Sequence, residues 1–69
     1  MQWVLEHSKP YKLELTYSPA KDPWSDVWAT LNESKKWCIE NKMMIWDDGT
    51  FYIRFTNEQD LAMFLLRWS

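Results

Sequence analysis

Residues 43–55 have the sequence MMIWDDGTFYIRF, and this stretch decides the fold because it contains two strand-forming runs around one turn. Residues 43–46 and 50–55 include aromatic and β-branched side chains, which favour extended backbone. Between the two runs, Asp48 and Gly49 favour a two-residue type I′ turn, because both residues tolerate positive φ. We therefore predict a β-hairpin here.

Pairing across a two-residue turn determines which side chains share a face of this hairpin. It places Trp46 opposite Phe51 and Met44 opposite Ile53, and we expect this face to join the core. The other face is less polar than an ordinary solvated sheet surface. On it lie three residues that we predict to contact a partner: Met43, Ile45 and Tyr52.

Two further strands are predicted upstream of this hairpin. Residues 2–7 favour extended backbone, and residues 11–17 alternate strictly between apolar and polar side chains, which is typical of a half-buried strand. The apolar side of the second strand consists of Tyr11, Leu13, Leu15 and Tyr17. Residues 8–10 include a proline and supply the turn of a second hairpin.

The segment after the second strand admits two interpretations. In the first, Asp22 caps and Pro23 opens a long helix. Its buried stripe would consist of Trp24, Val27, Trp28, Leu31 and Cys38. In the second, residues 27–31 are extended, and the helix begins only near residues 30–33, whose Thr-x-x-Glu spacing suits a capping box. Both interpretations end the helix near Asn41.

A final helix is predicted at the end of the sequence. Thr56 or Asn57 caps it, and Glu58 lies in the first turn, where the helix dipole favours an anion. Its core-facing stripe consists of Leu61, Phe64, Leu65 and Trp68. Met63 and Leu66 flank this stripe and widen its apolar arc, so we predict that they contact a partner.

The order of these elements predicts an α+β fold over residues 1–69, as a single domain. We expect a small antiparallel four-stranded sheet with two helices on one face, in the order ββαββα. Because strand–helix–strand crossovers are right-handed, the expected architecture is a ferredoxin-like plait. The first strand would occupy the edge that a final strand takes in that fold.

Aromatic residues are unusually abundant, with six Trp, three Phe and three Tyr among 69 residues. A domain of this size removes only about 60% of its unfolded surface from water, so we expect some rings at contact surfaces. Trp28, Trp46 and Trp68 lie on predicted core stripes. Trp24 and Trp37 lie off a stripe or beside a loop, and we predict that they contact a partner.

Charge and composition narrow the possible functions. Eight Lys and Arg oppose ten Asp and Glu, which gives a net charge of −2, so no basic field attracts nucleic acid. The nearly continuous apolar run at residues 61–66 is far too short to span a bilayer. A single cysteine and the lack of an apolar leader favour a cytoplasmic protein over a secreted one.

The sequence predicts no catalytic centre, metal site or cofactor. Cys38 lies within a helical pattern, where packing is its ordinary role, and His7 lies at a predicted strand end. Asp47 and Asp48 are explained by turn chemistry. Gly49 is the only glycine, so no glycine-rich loop can cradle a phosphate. We therefore predict that the protein is not an enzyme.

Residues 49–62, GTFYIRFTNEQDLA, resemble the third strand and second helix of an RNA-recognition motif domain. In that family, exposed strand positions carry basic and aromatic residues that stack on bases. The resemblance places Tyr52 at one stacking position, but Thr50 at the other and Asp48 at the basic position. It therefore implies the family's fold while most of its binding chemistry is missing.

Residues 55–68, FTNEQDLAMFLLRW, are similar to the chain ends of small uncharacterised proteins of large tailed phages, including those of cyanobacteria. Those proteins commonly have a strand hairpin that enters a C-terminal helix ending in Arg-Trp. The resemblance implies action in the cytoplasm of an infected bacterial cell. It does not imply an activity.

Two functions remain. The first is protein binding by a small interaction module, either an inhibitor or adaptor acting on a host protein or a homodimer, through the seven predicted contact residues. The second is single-stranded nucleic-acid binding on the open face of the sheet. In that case Tyr52 would stack on a base, and three cations would contact phosphates: Lys12, Lys42 and Arg54.

Overall fold

Six elements follow one another in the computed structural model, which describes residues 1–6, 11–47 and 49–68. They are β1 (Gln2–Leu5), β2 (Lys12–Thr16), α1 (Trp24–Glu40), β3 (Ile45–Trp46), β4 (Tyr52–Phe55) and α2 (Glu58–Trp68). The strands form one antiparallel sheet in the order β1-β2-β4-β3. The predicted α+β class, with a four-stranded antiparallel sheet and two helices, is confirmed. The predicted turn at residues 8–10, the strand end at His7 and the turn residue Asp48 lie outside the described residues.

One face of the sheet carries the hydrophobic core. Alternation along the strands directs five buried side chains to this face: Trp3, Leu13, Leu15, Ile53 and Phe55. Helix α1 adds Val27, Leu31 and Cys38 to the same cluster. Helix α2 adds Leu61 and Phe64. Both helices therefore pack against one face, and the opposite face carries mainly polar and charged side chains.

The hairpin of β3 and β4 has a different register from the predicted one. Trp46 pairs with Arg54, and Ile45 pairs with Phe55, whereas a two-residue turn would place Trp46 opposite Phe51. The shift is three residues, and because successive side chains alternate faces, an odd shift exchanges the two faces of β3. Trp46 therefore lies on the open face and Ile45 faces the core. The prediction that Trp46 is a core residue is wrong.

Residues 47–51 connect the two strands, so the connection is longer than the predicted two residues. Gly49 has a φ of +124°, which glycine adopts readily because it has no Cβ. Its carbonyl accepts the backbone N–H of Tyr52 (3.2 Å). From α1, Lys35 donates to the Asp47 carboxylate (2.7 Å) and to the Thr50 carbonyl (3.2 Å). Contacts with the helix therefore help to fix this connection.

The long-helix interpretation is confirmed for α1. Its N-cap residue is Pro23, and the Asp22 carboxylate instead accepts the backbone N–H of Ser18 (2.9 Å), so the predicted Asp22 cap is wrong. Trp24 and Trp28 were expected on the buried stripe, but they are 51% and 42% exposed. The stripe consists of Val27, Leu31, Ser34 and Cys38.

Helix α2 follows its predicted pattern. The Asn57 side chain accepts the backbone N–H of Asp60 (2.8 Å), which is the hydrogen bond of an N-cap. The predicted stripe is confirmed, because its residues are buried or pack against the core: Leu61, Phe64, Leu65 and Trp68. The start and the buried face of this helix were therefore both predictable from local sequence.

Several aromatic rings stay at the surface, as the composition predicts. The chain exposes 4878 Å², and a folded monomer of its mass is expected to expose roughly 4,700 Å². The total surface is therefore ordinary, yet Trp46 is 64% exposed and joins Trp24 and Trp28 at the surface. Trp3 is buried, and Trp37 packs half-buried against the core.

Candidate functional site

Strand β3 lies at one edge of the sheet. The backbone N–H of Phe55 bonds to the Tyr11 carbonyl, on the β2 side (2.8 Å). Successive residues direct their backbone N–H and C=O groups to opposite sides of a strand, so the backbone groups of Arg54 point toward β3. Arg54 pairs there with Trp46, whose backbone groups point back toward β4. The N–H and C=O of Ile45 therefore point outward. The edge presents one backbone donor and one acceptor that can pair with another strand.

A groove of about 560 Å³ runs beside this edge, between the end of α1 and β3. Its apolar lining consists of Ile39, Met43, Met44, Ile45 and Trp46. Met43 is buried and Ile45 is half-buried, so these two side chains form the floor. Ile39 and Met44 are 69% and 73% exposed. We call this feature the α1–β3 groove.

An ion pair forms the polar part of the α1–β3 groove. Lys35 and Asp47 both line it, and their charged atoms are 2.7 Å apart. The Asp47 carboxylate is largely exposed, so solvent screens the pair and its contribution to stability is small. The ion pair instead holds the connection that follows β3 against α1.

A charged network surrounds Tyr52 on the open face of the sheet. The Tyr52 hydroxyl donates to the Glu14 carboxylate (3.2 Å), and the charge of Glu14 together with this bond raises the pKa of Tyr52. Lys12 Nζ lies 4.5 Å from the centroid of the Tyr52 ring and 3.6 Å from the Glu6 carboxylate. The ring that was predicted to stack on a base is therefore already in contact with an ammonium group.

Arg54 and Trp46 are neighbours on the same open face, because they form a cross-strand pair. A cleft of about 450 Å³ lies beside them and is also lined by Tyr11, Phe55 and Thr56. Trp46 lines this cleft as well as the α1–β3 groove. Its indole is therefore accessible to a ligand on either side of the strand edge.

Two of the seven predicted contact residues, Met43 and Ile45, meet in the α1–β3 groove. The predicted common face of Met43, Ile45 and Tyr52 is wrong, because Ile45 faces the core and Tyr52 lies on the open face. The difference follows from the shifted register of β3.

The other four predicted contact residues lie elsewhere. Met63 and Leu66 are exposed on α2, Leu66 by 87%. The half-exposed ring of Trp24 packs against three other rings: Tyr17, Trp28 and Phe51. Trp37 is half-buried, and its ring centroid lies 6.2 Å from that of Phe64. These residues do not form one surface with the groove.

Sequence reasoning missed three exposed groove residues: Ile39, Met44 and Trp46. The feature that could have identified two of them is the unbroken apolar run at residues 43–46. Only every second side chain of a strand faces the core, so such a run must expose part of itself when it lies at an edge. Ile39 has no comparable local feature, because its exposure depends on where the helix ends relative to the sheet.

The single cysteine is buried in the core and is unreactive. Cys38 is fully buried, and burial, with a smaller contribution from the Asp60 charge, raises the pKa of its thiol to about 11. The thiolate is the reactive form, so Cys38 is unreactive at neutral pH. Within residues 1–6, 11–47 and 49–68, no group of three or more His, Cys, Asp or Glu side chains is placed to hold a metal ion.

Comparisons with protein-family models, curated proteins and solved structures found no match for this chain. Among the described residues, no helix combines the length and apolar character needed to cross a membrane.

Proposed function

We propose that this chain is a small, non-enzymatic protein-binding module, and that the α1–β3 groove receives an extended segment of the partner protein. The observation that carries the proposal is the coincidence of exposed apolar side chains with an outward-facing strand edge. Strand addition uses both features, because the edge backbone supplies hydrogen bonds and the adjoining side chains supply specificity.

The groove favours a segment with apolar side chains on both of its faces. Side chains of an added strand would alternate between the α1 side, beside Ile39, and the open side, beside Met44 and Trp46. A large aromatic side chain can bury up to about 250 Å². Because Trp46 is 64% exposed, about 150 Å² of its surface is available to a partner. Exposed tryptophans of this kind are common energetic centres of interfaces.

We further propose that the fold is a ferredoxin-like plait with the element order ββαββα. The strand order β1-β2-β4-β3 supports this assignment, because β1 then stands beside β2 at the edge that a final strand occupies in that fold. The same arrangement leaves β3 at the opposite edge, where a partner can reach it.

We propose a specific setting for this function, prompted by the resemblance of residues 55–68 to the chain ends of tailed-phage proteins. The chain would be a phage-encoded inhibitor or adaptor that acts in the cytoplasm of the bacterial host. The groove would then hold a segment of a host protein. An inhibitor would cover a functional segment of that protein, whereas an adaptor would leave its activity intact and add a second contact.

Selection of short displayed peptides against the purified protein tests the proposal. We expect enrichment of sequences whose apolar residues allow strand addition, and binding that changes tryptophan fluorescence. Trp46→Ala and Ile39→Ser should weaken binding at least about tenfold, since loss of a hot-spot side chain at the centre of an interface costs about 2 kcal/mol or more. Leu66→Ser is the control, because it removes an apolar side chain of α2 that is even more exposed and does not line the groove.

Two results would overturn this assignment. Peptide binding that survives both groove variants, or that falls with Leu66→Ser, would move the site away from the groove. A selection that enriches no sequence would remove the support for segment binding altogether. Urea unfolding of each variant separates loss of binding from loss of fold, and we expect little change in stability because all three side chains are exposed.

A second candidate function is binding of single-stranded nucleic acid on the open face. The neighbouring Trp46 and Arg54 favour it, because a ring and a cation can contact a base and its phosphate. Binding should then weaken as salt rises and be lost in Trp46→Ala, while Tyr52→Ala has little effect. The absence of a mobility shift with a poly-dT oligonucleotide at low salt would dismiss this candidate.

A further inference from the structure

We propose that the α1–β3 groove receives a second copy of this chain, so that two β3 edges pair antiparallel about a two-fold axis at Ile45. The inference rests on the proposed function, because it names an occupant of the same groove. Two four-stranded sheets thereby become one continuous sheet. A closed two-fold dimer uses the same patch on both copies, so the patch must be complementary to itself.

The backbone of β3 meets this condition. Ile45 directs both its N–H and its C=O outward, as the pairing of Arg54 with Trp46 requires. In an antiparallel pair, two opposed residues with outward groups exchange two hydrogen bonds. An axis at Ile45 therefore lets each copy donate one N–H and accept one.

The side chains of β3 are complementary under the same register. An axis at Ile45 places Met44 of each copy opposite Trp46 of the other copy. Neighbours of a hydrogen-bonded pair form a non-hydrogen-bonded pair, in which side chains approach most closely. Met44, which immediately precedes β3, and Trp46 are thereby each covered by an apolar side chain of the second copy, while the two copies of Ile45 meet on the α1 side near Ile39.

Charges at the ends of the strand favour the antiparallel direction. Lys42 precedes β3 and Asp47 follows it, so antiparallel pairing brings the basic end of one copy beside the acidic end of the other. Edge strands are commonly protected by lysine or proline within the strand. Residues 43–46 contain neither.

The exposed area sets the expected strength of the dimer. Ile39, Met44 and Trp46 each keep about two-thirds of their surface exposed. Three side chains of this size supply roughly half of the ~800 Å² per partner found in standard interfaces, and the strand edge with the groove floor adds more. This total lies at the small end for specific complexes, so we expect a dissociation constant on the order of 10 µM.

Sedimentation velocity across the micromolar range tests the proposal with the full chain. We expect the apparent mass to rise with concentration from 8.5 kDa toward twice that value. Met44→Glu places like charges at the interface, and Trp46→Ala removes its largest side chain. Each should weaken dimerisation at least about 30-fold, as loss of a central interface residue does. Leu66→Glu is the control and should leave the dimer unchanged.

The register can be read directly from a mixture of differently labelled copies. We expect intermolecular nuclear Overhauser effects between the Met44 methyl group and the Trp46 indole, and slower exchange of the Ile45 amide at high concentration. A monomer at several hundred micromolar would refute the inference. So would a dimer that tolerates Met44→Glu and is lost in Leu66→Glu.

The outcomes for self-pairing and for the proposed function are separable. If the chain is monomeric but still binds selected peptides through Trp46, the second copy is the wrong occupant and the segment-binding function stands. If β3 edges pair and no peptide competes with the dimer, the inference stands and binding of a foreign segment fails. Competition between peptide and dimer would support both.

Discussion

Replacing Phe64 by alanine tests how the core is organised. Phe64 is fully buried and lies at the centre of an aromatic cluster. Its ring centroid is 5.3 Å from that of Trp3, edge to face, and 5.2 Å from that of Phe55. The rings of Trp37 and Trp68 are each 6.2 Å away. One side chain therefore joins the sheet, α1 and α2.

The expected loss is large relative to the stability of a chain this short. Phe→Ala substitutions in cores cost about 3–5 kcal/mol, and a chain of 69 residues is expected to have roughly 3–10 kcal/mol in total. Phe64→Ala should therefore leave a protein that is barely folded or unfolded. Phe64→Leu keeps most of the apolar volume, and we expect it to cost roughly 1–2 kcal/mol.

Urea unfolding followed by tryptophan fluorescence measures both variants. With a slope of about 1 kcal/mol per molar urea or somewhat more, the Leu variant should lower the midpoint by roughly 1 M. Leu66→Ala serves as the control and should change stability by no more than about 0.5 kcal/mol. If Phe64→Ala costs less than about 1 kcal/mol, Phe64 does not link the three elements and the described core is wrong.

Two further predictions concern titrating groups. Burial raises the pKa of Cys38 to about 11, above that of a thiol in the unfolded chain. The unfolded chain therefore loses this proton first, and the free energy of unfolding should fall by about 2 kcal/mol as the pH rises from about 9 to 11. Native Cys38 should accordingly react with a disulfide reagent at neutral pH far more slowly than the unfolded chain, and rapid native labelling would contradict its burial. Glu14 raises the pKa of Tyr52, so this phenol should titrate above the ordinary range near pH 10, and its contribution to stability should be lost as pH rises above that range. Glu14→Gln should bring the absorbance titration back toward the ordinary value, and an unchanged titration would show that the Tyr52–Glu14 bond is absent in solution.

Strong local periodicity made part of the fold predictable from sequence. The alternation through Leu13 and Leu15 identified β2 and its core face, and the spacing of Leu61 and Phe64 did the same for α2. Asn57 marked the start of α2 because a side-chain cap needs only local residues. In each case the pattern and the final packing depend on the same few neighbours in sequence.

The register of the β3–β4 hairpin could not be obtained in the same way. The Asp-Gly pair indicates that a turn exists, but the connection is also contacted from α1 by Lys35, which donates to Asp47 and Thr50. That contact spans more than ten residues of sequence and has no local pattern. The observed register differs from the predicted one by an odd number of residues, so Trp46 lies at the surface and not in the core. The residues of the candidate site therefore differ from those predicted.

The surplus of aromatic surface lies in two places, and the backbone distinguishes between them. At the start of α1, Trp24 and Trp28 are exposed, but Trp24 already contacts Tyr17, Phe51 and Trp28, with ring centroids 5.7–6.0 Å apart. These rings therefore already pack against one another. At the other end of α1, Trp46 stands beside a strand edge whose hydrogen-bonding groups point outward. Apolar area alone would favour neither place, whereas area combined with an outward-facing strand edge favours β3 for the proposed strand addition.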